Sequence, residues 1–498
     1  MSLMRFRQRS VAAVAGANRG LAEVLGALGA DSAQYLVGLA VVGLGNMVLI
    51  PLYSRRLSPA EFGVFGLLEV VMLASIAVAG LGLNLSYAKW HAEVEPAAIP
   101  RLLGTQLLVG LAAATAVGLA ATMSLHTRLF GRHFGASVDQ HALSLSVIIM
   151  AESVQGLLLN HLRAARKPAL FTTGSIARLG AVLLATVWLM NGRGLGLSGL
   201  FWGRALGDAF GVAVLVFFCR SDISLKASRE YAAGMLKLGF PLVWSALLVM
   251  LLDGSGRFFL GRYGDLQQVG TYSMGTKIAG LMKLVIVMPF GVAWGGLMFR
   301  IAKMPDARHI YSKLAGYVLV LSSALALMFS LTAPTLFQIF ATRAYAAAMP
   351  VLPLLLLVQA ITVLQYPLAI GLHLGGATRS LIPISLAGLV LTLLISWALV
   401  PQYGADGAAA AWLAGWGGIT LLIALASQRK YPLNYELTPL ALGVVMAGLT
   451  VATRWLMLST IAHWHVLAQL LSASLVALLV CAYFIIDIRN ETRPKGGE

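Results

Sequence analysis

"PLYSRRLSPAEFGVFGLLEVVMLASIAVAGLGLN", residues 51–84, decides the fold. One apolar run ends at Arg55 and Arg56, the chain turns through a short polar stretch, and a second run follows with Glu69 as its lone charge before residue 84. A run of about 20 residues crosses a ~30 Å hydrocarbon core at ~1.5 Å per residue. The same pattern fills the chain: 498 residues, 59% hydrophobic and 11% charged, with a mean hydropathy of +0.84. A soluble protein of this size has no interior large enough for so much apolar surface, so the bilayer must be its solvent. The runs are continuous, whereas an outer-membrane barrel shows short alternating segments. The fold class is therefore an all-α polytopic membrane protein.

Fourteen transmembrane helices are expected, at 33–53, 62–86, 103–125, 141–162, 170–190, 196–219, 239–260, 270–299, 314–333, 348–373, 381–400, 404–426, 437–456 and 463–486. With the amino terminus inside, cytoplasmic loops and termini hold 23 Lys and Arg, the opposite side nine, and the spans four. That asymmetry places both termini in the cytoplasm. The net charge of +17 thus reads as basic cytoplasmic loops and not as a surface for nucleic acid. Residues 1–30, with Arg5, Arg7, Arg9 and Arg19 around weakly periodic apolar positions, read as a helix lying in the cytoplasmic interface. Cys219 and Cys481 lie far apart in apolar segments, with neither disulfide nor metal-ligand spacing. The histidines show no metal pattern, and His463 and His465 flank Trp464 at a membrane interface.

The two halves echo each other. "RRLSPAEFGVFG" (55–66) aligns with "RYGDLQQVGTYS" (262–273), pairing Gly63 with Gly270 at an offset of 207. "HLRAARKP" (161–168) aligns with "HLGGATRS" (373–380) at an offset of 212. "GLSGLFW" (196–202) aligns with "GADGAAAAW" (404–412) at 208, which implies about four extra residues near Asn191–Gly194. Two six-helix repeats in parallel orientation, followed by two further helices, satisfy these offsets. The expected division is an N-lobe at 31–220, a cytoplasmic linker at 221–238, a C-lobe at 239–430, helices 13 and 14 at 431–487, and a cytoplasmic tail at 488–498. Repeats of this kind set a substrate site between two bundles that rock against each other.

Charges inside a membrane mark function or pairing. The acids are Glu69, Glu152, Asp208 and Asp253; the bases are Arg178, Arg204, Lys277, Lys283 and, near the outer end of span 7, Arg257. All lie in spans 2 to 8. Arg204/Asp208 and Asp253/Arg257 are spaced i, i+4, so each pair is placed where it could neutralise itself on one helix face. Lys277, Lys283 and Arg178 lack such a local partner. Lys277 and Lys283 are about 120° apart on a helix, too far to share one narrow groove. Lys283 is the deeper; Lys277 is placed to snorkel outward. The carboxylates are candidates for charge balance across the bundle or for proton or sodium coupling, without any other cofactor. Pro51, Pro241, Pro289 and Pro367 are candidate kinks. No GxxxxGK[ST] occurs, so the chain does not hydrolyse ATP by a P-loop.

These features resemble the polysaccharide-transporter branch of the multidrug/oligosaccharidyl-lipid/polysaccharide exporter superfamily, the flippases for undecaprenyl-pyrophosphate-linked oligosaccharides. The resemblance is carried by residues 51–84, by "ARKPALF" (165–171) and by "PQYGADGAAAAWL" (401–413), and covers about residues 33–426. It implies two six-helix lobes in a V-shaped arrangement around a cationic cavity, in the bacterial inner membrane, with transport by alternating access. The substrate it implies is a lipid-linked repeat unit for O-antigen, capsule or exopolysaccharide. Membrane lipids and a polysaccharide polymerase with its chain-length machinery are the implied partners. Lys283, Lys277, Arg178, Arg204 and Arg257 are then candidates for holding the diphosphate, with Glu69, Glu152, Asp208 and Asp253 as coupling or balancing acids. Alternatives are a lipid II flippase, an ion-coupled multidrug antiporter and, from another class, a membrane glycan polymerase. The polymerase wants a large external loop, and the longest here, about 126–140, is short.

Overall fold

Backbone groups in hydrocarbon must bond within their own segment, so long apolar runs become helices. The computed structural model describes residues 41, 43, 45, 47–126, 139–224, 226–459 and 466–492, and among these there is no strand. The N-terminal interfacial segment, most of the 126–140 loop, and the His463–His465 interface lie outside the described residues, as does the start of span 1. Its described part, α1, is helical over residues 47–56. Thirteen further stretches among the described residues are long and apolar enough to cross a membrane. They are α2 Pro59–Glu93, α3 Pro96–Leu125, α4 Asp139–Ala164, α5 Pro168–Gly192, α6 Gly196–Asp222, α7 Arg229–Tyr263 and α8 Leu266–Ile301. The remainder are α9 Ala307–Leu331, α10 Arg343–Leu374, α11 Leu381–Tyr403, α12 Ala405–Lys430, α13 Leu437–Trp455 and α14 Val466–Asp487. With α1 they make the expected fourteen.

The repeat is visible in the packing. Ser58 caps α2 through a capping box: the Ser58 N–H donates to Glu61 Oε2 at 2.8 Å, and the Glu61 N–H donates to Ser58 Oγ at 3.3 Å. Its counterpart 207 residues on, Asp265, caps α8 by accepting the Gln268 N–H at 2.7 Å. The matched glycines then meet face to face. A Cβ on Gly63 would lie 2.0 Å from the Leu266 carbonyl oxygen, and one on Gly270 would lie 1.7 Å from that of Pro59. Only glycine lets these backbones touch. The extra residues expected near Asn191–Gly194 are absorbed by a π-helical turn at Trp188–Gly192 and by Gly194 at φ +66°.

Two details depart from expectation. Span 2 breaks: its first helix ends at Ala79, Leu81 and Gly82 take φ of +46° and +64°, and a second helix runs Leu83–Glu93. At the break Gly82 touches Gly239 of α7, where a Cβ would meet the Gly239 carbonyl oxygen at 2.1 Å. Much of the expected 221–238 linker is also helix, since α7 begins at Arg229. Its first turns pack on the N-terminal half, with Met235 buried among Leu83, Tyr87, Leu102, Leu103 and Leu157. Beyond Pro241, α7 packs against α11 and α12. The connection is a continuous rod shared by both halves, and its first turns escape a hydropathy reading because they carry Arg229, Glu230 and Lys237.

Outside the two halves, α13 and α14 lean on α9. Ion pairs tie them down at each end, Lys313 to Asp487 at 3.2 Å and Arg454 to Asp406 at 2.5 Å. Leu467, Leu471, Leu475 and Leu478 of α14 are exposed, as a lipid-facing surface requires.

Candidate functional site

The halves enclose two adjoining cavities. The larger, of about 810 Å³, is walled by α1, α2, α7, α8, α10 and α12, and reaches His373 at the end of α10 and Leu381 at the start of α11. The smaller, of about 320 Å³, lies between α1, α2, α4, α5 and α6 of the N-terminal half and α8 of the other. Tyr53, Glu69 and Lys277 belong to both walls. Away from His373 the two halves touch. The Tyr345 hydroxyl donates to the Leu57 carbonyl oxygen at 2.9 Å, Thr342 Oγ1 donates to that of Ser54 at 3.3 Å, and the Phe62 ring meets Tyr345 edge-on.

All nine expected ionisable residues gather here. In the smaller cavity, Arg178 Nη2 and Arg204 Nη2 both donate to Glu152 Oε1 at 2.6 Å. Arg178 Nε donates to Asp208 Oδ1 at 2.7 Å, and Arg204 Nε lies 3.7 Å from Asp208 Oδ2. At the partition, Lys277 Nζ donates to Glu69 Oε1 and lies 5.4 Å above the Phe65 ring. Arg257 Nη1 stands 3.7 Å from Glu69 Oε2, and its Nη2 donates to Thr276 Oγ1 at 3.0 Å. Removing such charges from water costs several kcal/mol each, and mutual pairing across helices offsets that cost.

Several expectations change. Asp253 and Arg257 do not neutralise each other along α7. Asp253 Oδ1 instead accepts the indole N–H groups of Trp412 at 2.9 Å and Trp416 at 2.8 Å, while Arg257 turns to Glu69. Lys277 does not snorkel, because Glu69 offers a nearer anion than the interface does. Arg178 is partnered, by residues 26 and 30 positions away. Lys277 and Lys283 do face different parts of a wide space: Lys277 borders both cavities, Lys283 only the larger.

Lys283 is the exception. It is exposed to the larger cavity and, among the described residues, makes no ion pair or hydrogen bond. It opens a π-helical turn, Lys283–Val287, two residues ahead of Pro289. Proline has no N–H to continue the α-helical ladder, and a π turn is one way to change register there. With five bases and four acids, the site carries one formal positive charge; Lys277 and Arg257 share the single acid Glu69, while Lys283 and Asp253 each lack an ion pair among the described residues.

Matched histidines diverge. His161 is locked in a cluster, with Tyr87 Oη 2.7 Å from its Nδ1 and Asp222 Oδ2 3.0 Å from its Nε2, while Lys167 donates to Asp222 at 2.6 Å. His373 lines the larger cavity. Tyr53, Trp412, Trp416 and the polar face of α10 were not singled out from the sequence, since uncharged residues in apolar helices carry no alarm of cost.

Residues 52–291 match the protein family described as "Polysaccharide biosynthesis protein". No curated protein matches the sequence. Among solved structures, the chain is similar to the lipid II flippase MurJ in an inward closed conformation, with a TM-score of 0.72 and 12% identity over 91% of this chain and 99% of that one. It is also similar to a multidrug resistance MATE family transporter of the MOP superfamily, inward-facing, with a TM-score of 0.63 and 15% identity over 79% and 98% of the two chains. The outward-facing form gives 0.58 at 15% identity over 80% and 94%. At such identities the likeness is one of fold.

Proposed function

We propose that the chain is a polysaccharide transporter of the MOP superfamily and that it flips an undecaprenyl-pyrophosphate-linked oligosaccharide repeat unit across the bacterial inner membrane for cell-surface polysaccharide assembly. Both termini face the cytoplasm, and the larger cavity opens toward that side. The observation that carries the reading is Lys283, an ammonium group exposed to a cavity of about 810 Å³ and, among the described residues, without a hydrogen bond or ion pair. An ammonium in such a place calls for an anionic ligand, and a diphosphate cannot cross hydrocarbon without one. The volume lies within the ~300–1,000 Å³ of small-molecule sites, suited to a diphosphate and its first sugars. The polyprenyl tail stays in lipid. Alternating access between the halves then moves the headgroup, with Glu69, Glu152 or Asp208 as candidate proton or sodium sites.

The second reading, a lipid II flippase, is favoured by the TM-score of 0.72 to a protein of that description. Both substrates present a polyprenyl diphosphate, and Lys283 serves either. A multidrug antiporter is less favoured, since bases outnumber acids in the site. Purified protein in proteoliposomes decides between them. We expect flipping of the lipid-linked oligosaccharide extracted from the host, indifference to ATP, and little flipping of lipid II. The reverse preference would establish the second reading, and an absolute ATP requirement would refute both.

A further inference from the structure

The larger cavity has two chemically distinct walls. Charge is confined to α2, α7 and α8, through Glu69, Asp253, Arg257, Lys277 and Lys283. The facing wall, on α10, is polar without charge. Gln359, Thr362, Tyr366, Ala369 and His373 all line the cavity, at spacings of 3, 4, 3 and 4 residues. This is one helical face, carried from the helix Leu352–Leu368 across Ala369 into the short helix Ile370–Leu374. Apart from Gln365, the rest of the Leu352–Leu368 stretch is apolar, as a bilayer helix should be.

Polar residues in transmembrane helices ordinarily bond to a neighbouring helix. Gln365, beside the stripe, does so, donating from Nε2 to Thr420 Oγ1 at 3.0 Å. Gln359 and Tyr366 do not. Gln359 is only 6% exposed, yet its amide makes no hydrogen bond among the described residues; the Tyr366 hydroxyl is likewise without one. An amide that opens onto the cavity without a protein partner is free to bond a ligand, and a ligand that meets it is recognised by what it supplies. A second feature adjoins the stripe. Trp412 and Trp416, one turn apart on α12, line the same cavity with their N–H groups fixed on Asp253. Their rings are thereby held still, as rigid aromatic surface beside uncharged hydrogen-bonding groups.

Resting on the transport reading above, we propose that the α10 stripe, centred on Gln359 and Tyr366, is the glycan-reading wall of the cavity. It selects the lipid-linked unit by its sugar hydroxyls while α8 holds the diphosphate. A primary amide both donates and accepts, as a sugar hydroxyl does, and a phenol adds a third such group. The apolar C–H face of a pyranose ring suits the Trp412 and Trp416 indoles. A phosphate makes poor use of this wall, because an amide or phenol leaves its negative charge uncompensated. The two walls thus divide recognition: charge for what every polyprenyl diphosphate shares, hydroxyl chemistry for what distinguishes one glycan from another.

The test compares two probes bound to purified full-length protein: undecaprenyl pyrophosphate without sugar, and the lipid-linked repeat unit extracted from a host strain lacking this protein. Gln359→Leu and Tyr366→Phe keep the volume and remove the hydrogen bonds. Each is expected to weaken binding of the glycan-bearing lipid about threefold to tenfold, the loss of one neutral hydrogen bond. Binding of the bare diphosphate should stay within twofold, and Lys283→Ala should weaken both probes. Unchanged binding of the glycan-bearing lipid to both variants overturns the proposal, as does an equal loss for both probes, which would mark the stripe as structural. Failure of the unaltered protein to bind either probe would instead defeat the transport reading, and the glycan wall with it.

Discussion

At the scale of single residues, the cost of charge in hydrocarbon made the site legible: all nine ionisable residues picked from the spans line or adjoin two neighbouring cavities. What the sequence hid was their pairing. Glu69 finds Lys277 across 208 positions, and Glu152 finds Arg204 across 52, because helix packing and not local spacing sets who meets whom. The i, i+4 rule held for Arg204 and Asp208 and failed for Asp253, which two indoles reach first. The distinction between paired and unpaired bases yields a prediction. Lys283→Ala removes no protein contact, so abundance and membrane insertion should be normal. Export should fall tenfold to a hundredfold, the ~1.5–3 kcal/mol of one charge-assisted contact. Lys283→Arg should retain part of the activity, and Lys283→Glu should be worse than Ala. Lys277→Ala should behave differently, leaving Glu69 with Arg257 alone at 3.7 Å. Its abundance should drop, and adding Glu69→Gln should restore it. Export assays beside quantitative immunoblots read both effects; a scarce Lys283→Ala protein, or one with full export, would contradict the assignment.

At the scale of elements, hydropathy found the spans but not their interruptions. A π turn at Lys283–Val287 and the break at Leu81–Gly82 leave the apolar pattern intact, so nothing in composition announces them. Nor does hydropathy show that α7 starts ten residues before the expected span at 239, because Arg229, Glu230 and Lys237 break the apolar pattern there. Yet the break in α2 and the residues just before Pro241 in α7 touch at one place, through Gly82 and Gly239. This contact joins the N-terminal half to the rod that enters the other half. Gly82 has φ +64° and no room for a Cβ, whereas Gly80 has φ −64° and its nearest atom, the Ile76 carbonyl oxygen, at 3.3 Å. Gly82→Ala should therefore cost ~1–2 kcal/mol in backbone strain and ~1–3 kcal/mol in overpacking. Gly80→Ala should be near neutral. Thermal unfolding in detergent separates them: a clearly lowered midpoint for Gly82→Ala alone is expected, and equal midpoints would mean the contact is looser than described.

At the scale of the whole molecule, the two-fold repeat was readable from three short alignments, and the structure places Gly63 against Gly270 where the halves cross. The side on which they separate was not readable, because it depends on the balance of two interfaces and not on either helix. Here the seal lies at the ends of α1, α2, α8 and α10, while the cavity extends toward His373. Thr342 and Ser54 sit on opposite halves of that seal, with Thr342 Oγ1 at 3.3 Å from the Ser54 carbonyl oxygen. If transport requires the seal to part, tethering it must stop the cycle without emptying the cavity. The test replaces Cys219 and Cys481 by Ser, introduces Ser54→Cys and Thr342→Cys, and applies a short bifunctional thiosulfonate. Flipping in proteoliposomes should be lost on cross-linking and return on reduction, because the tether holds one conformation and damages none. Binding of the lipid-linked unit should persist throughout, since Lys283 and the α10 stripe face the cavity and not the seal. Continued flipping in the cross-linked protein would show that the halves exchange access without separating at this end, and the rocking scheme would have to be given up.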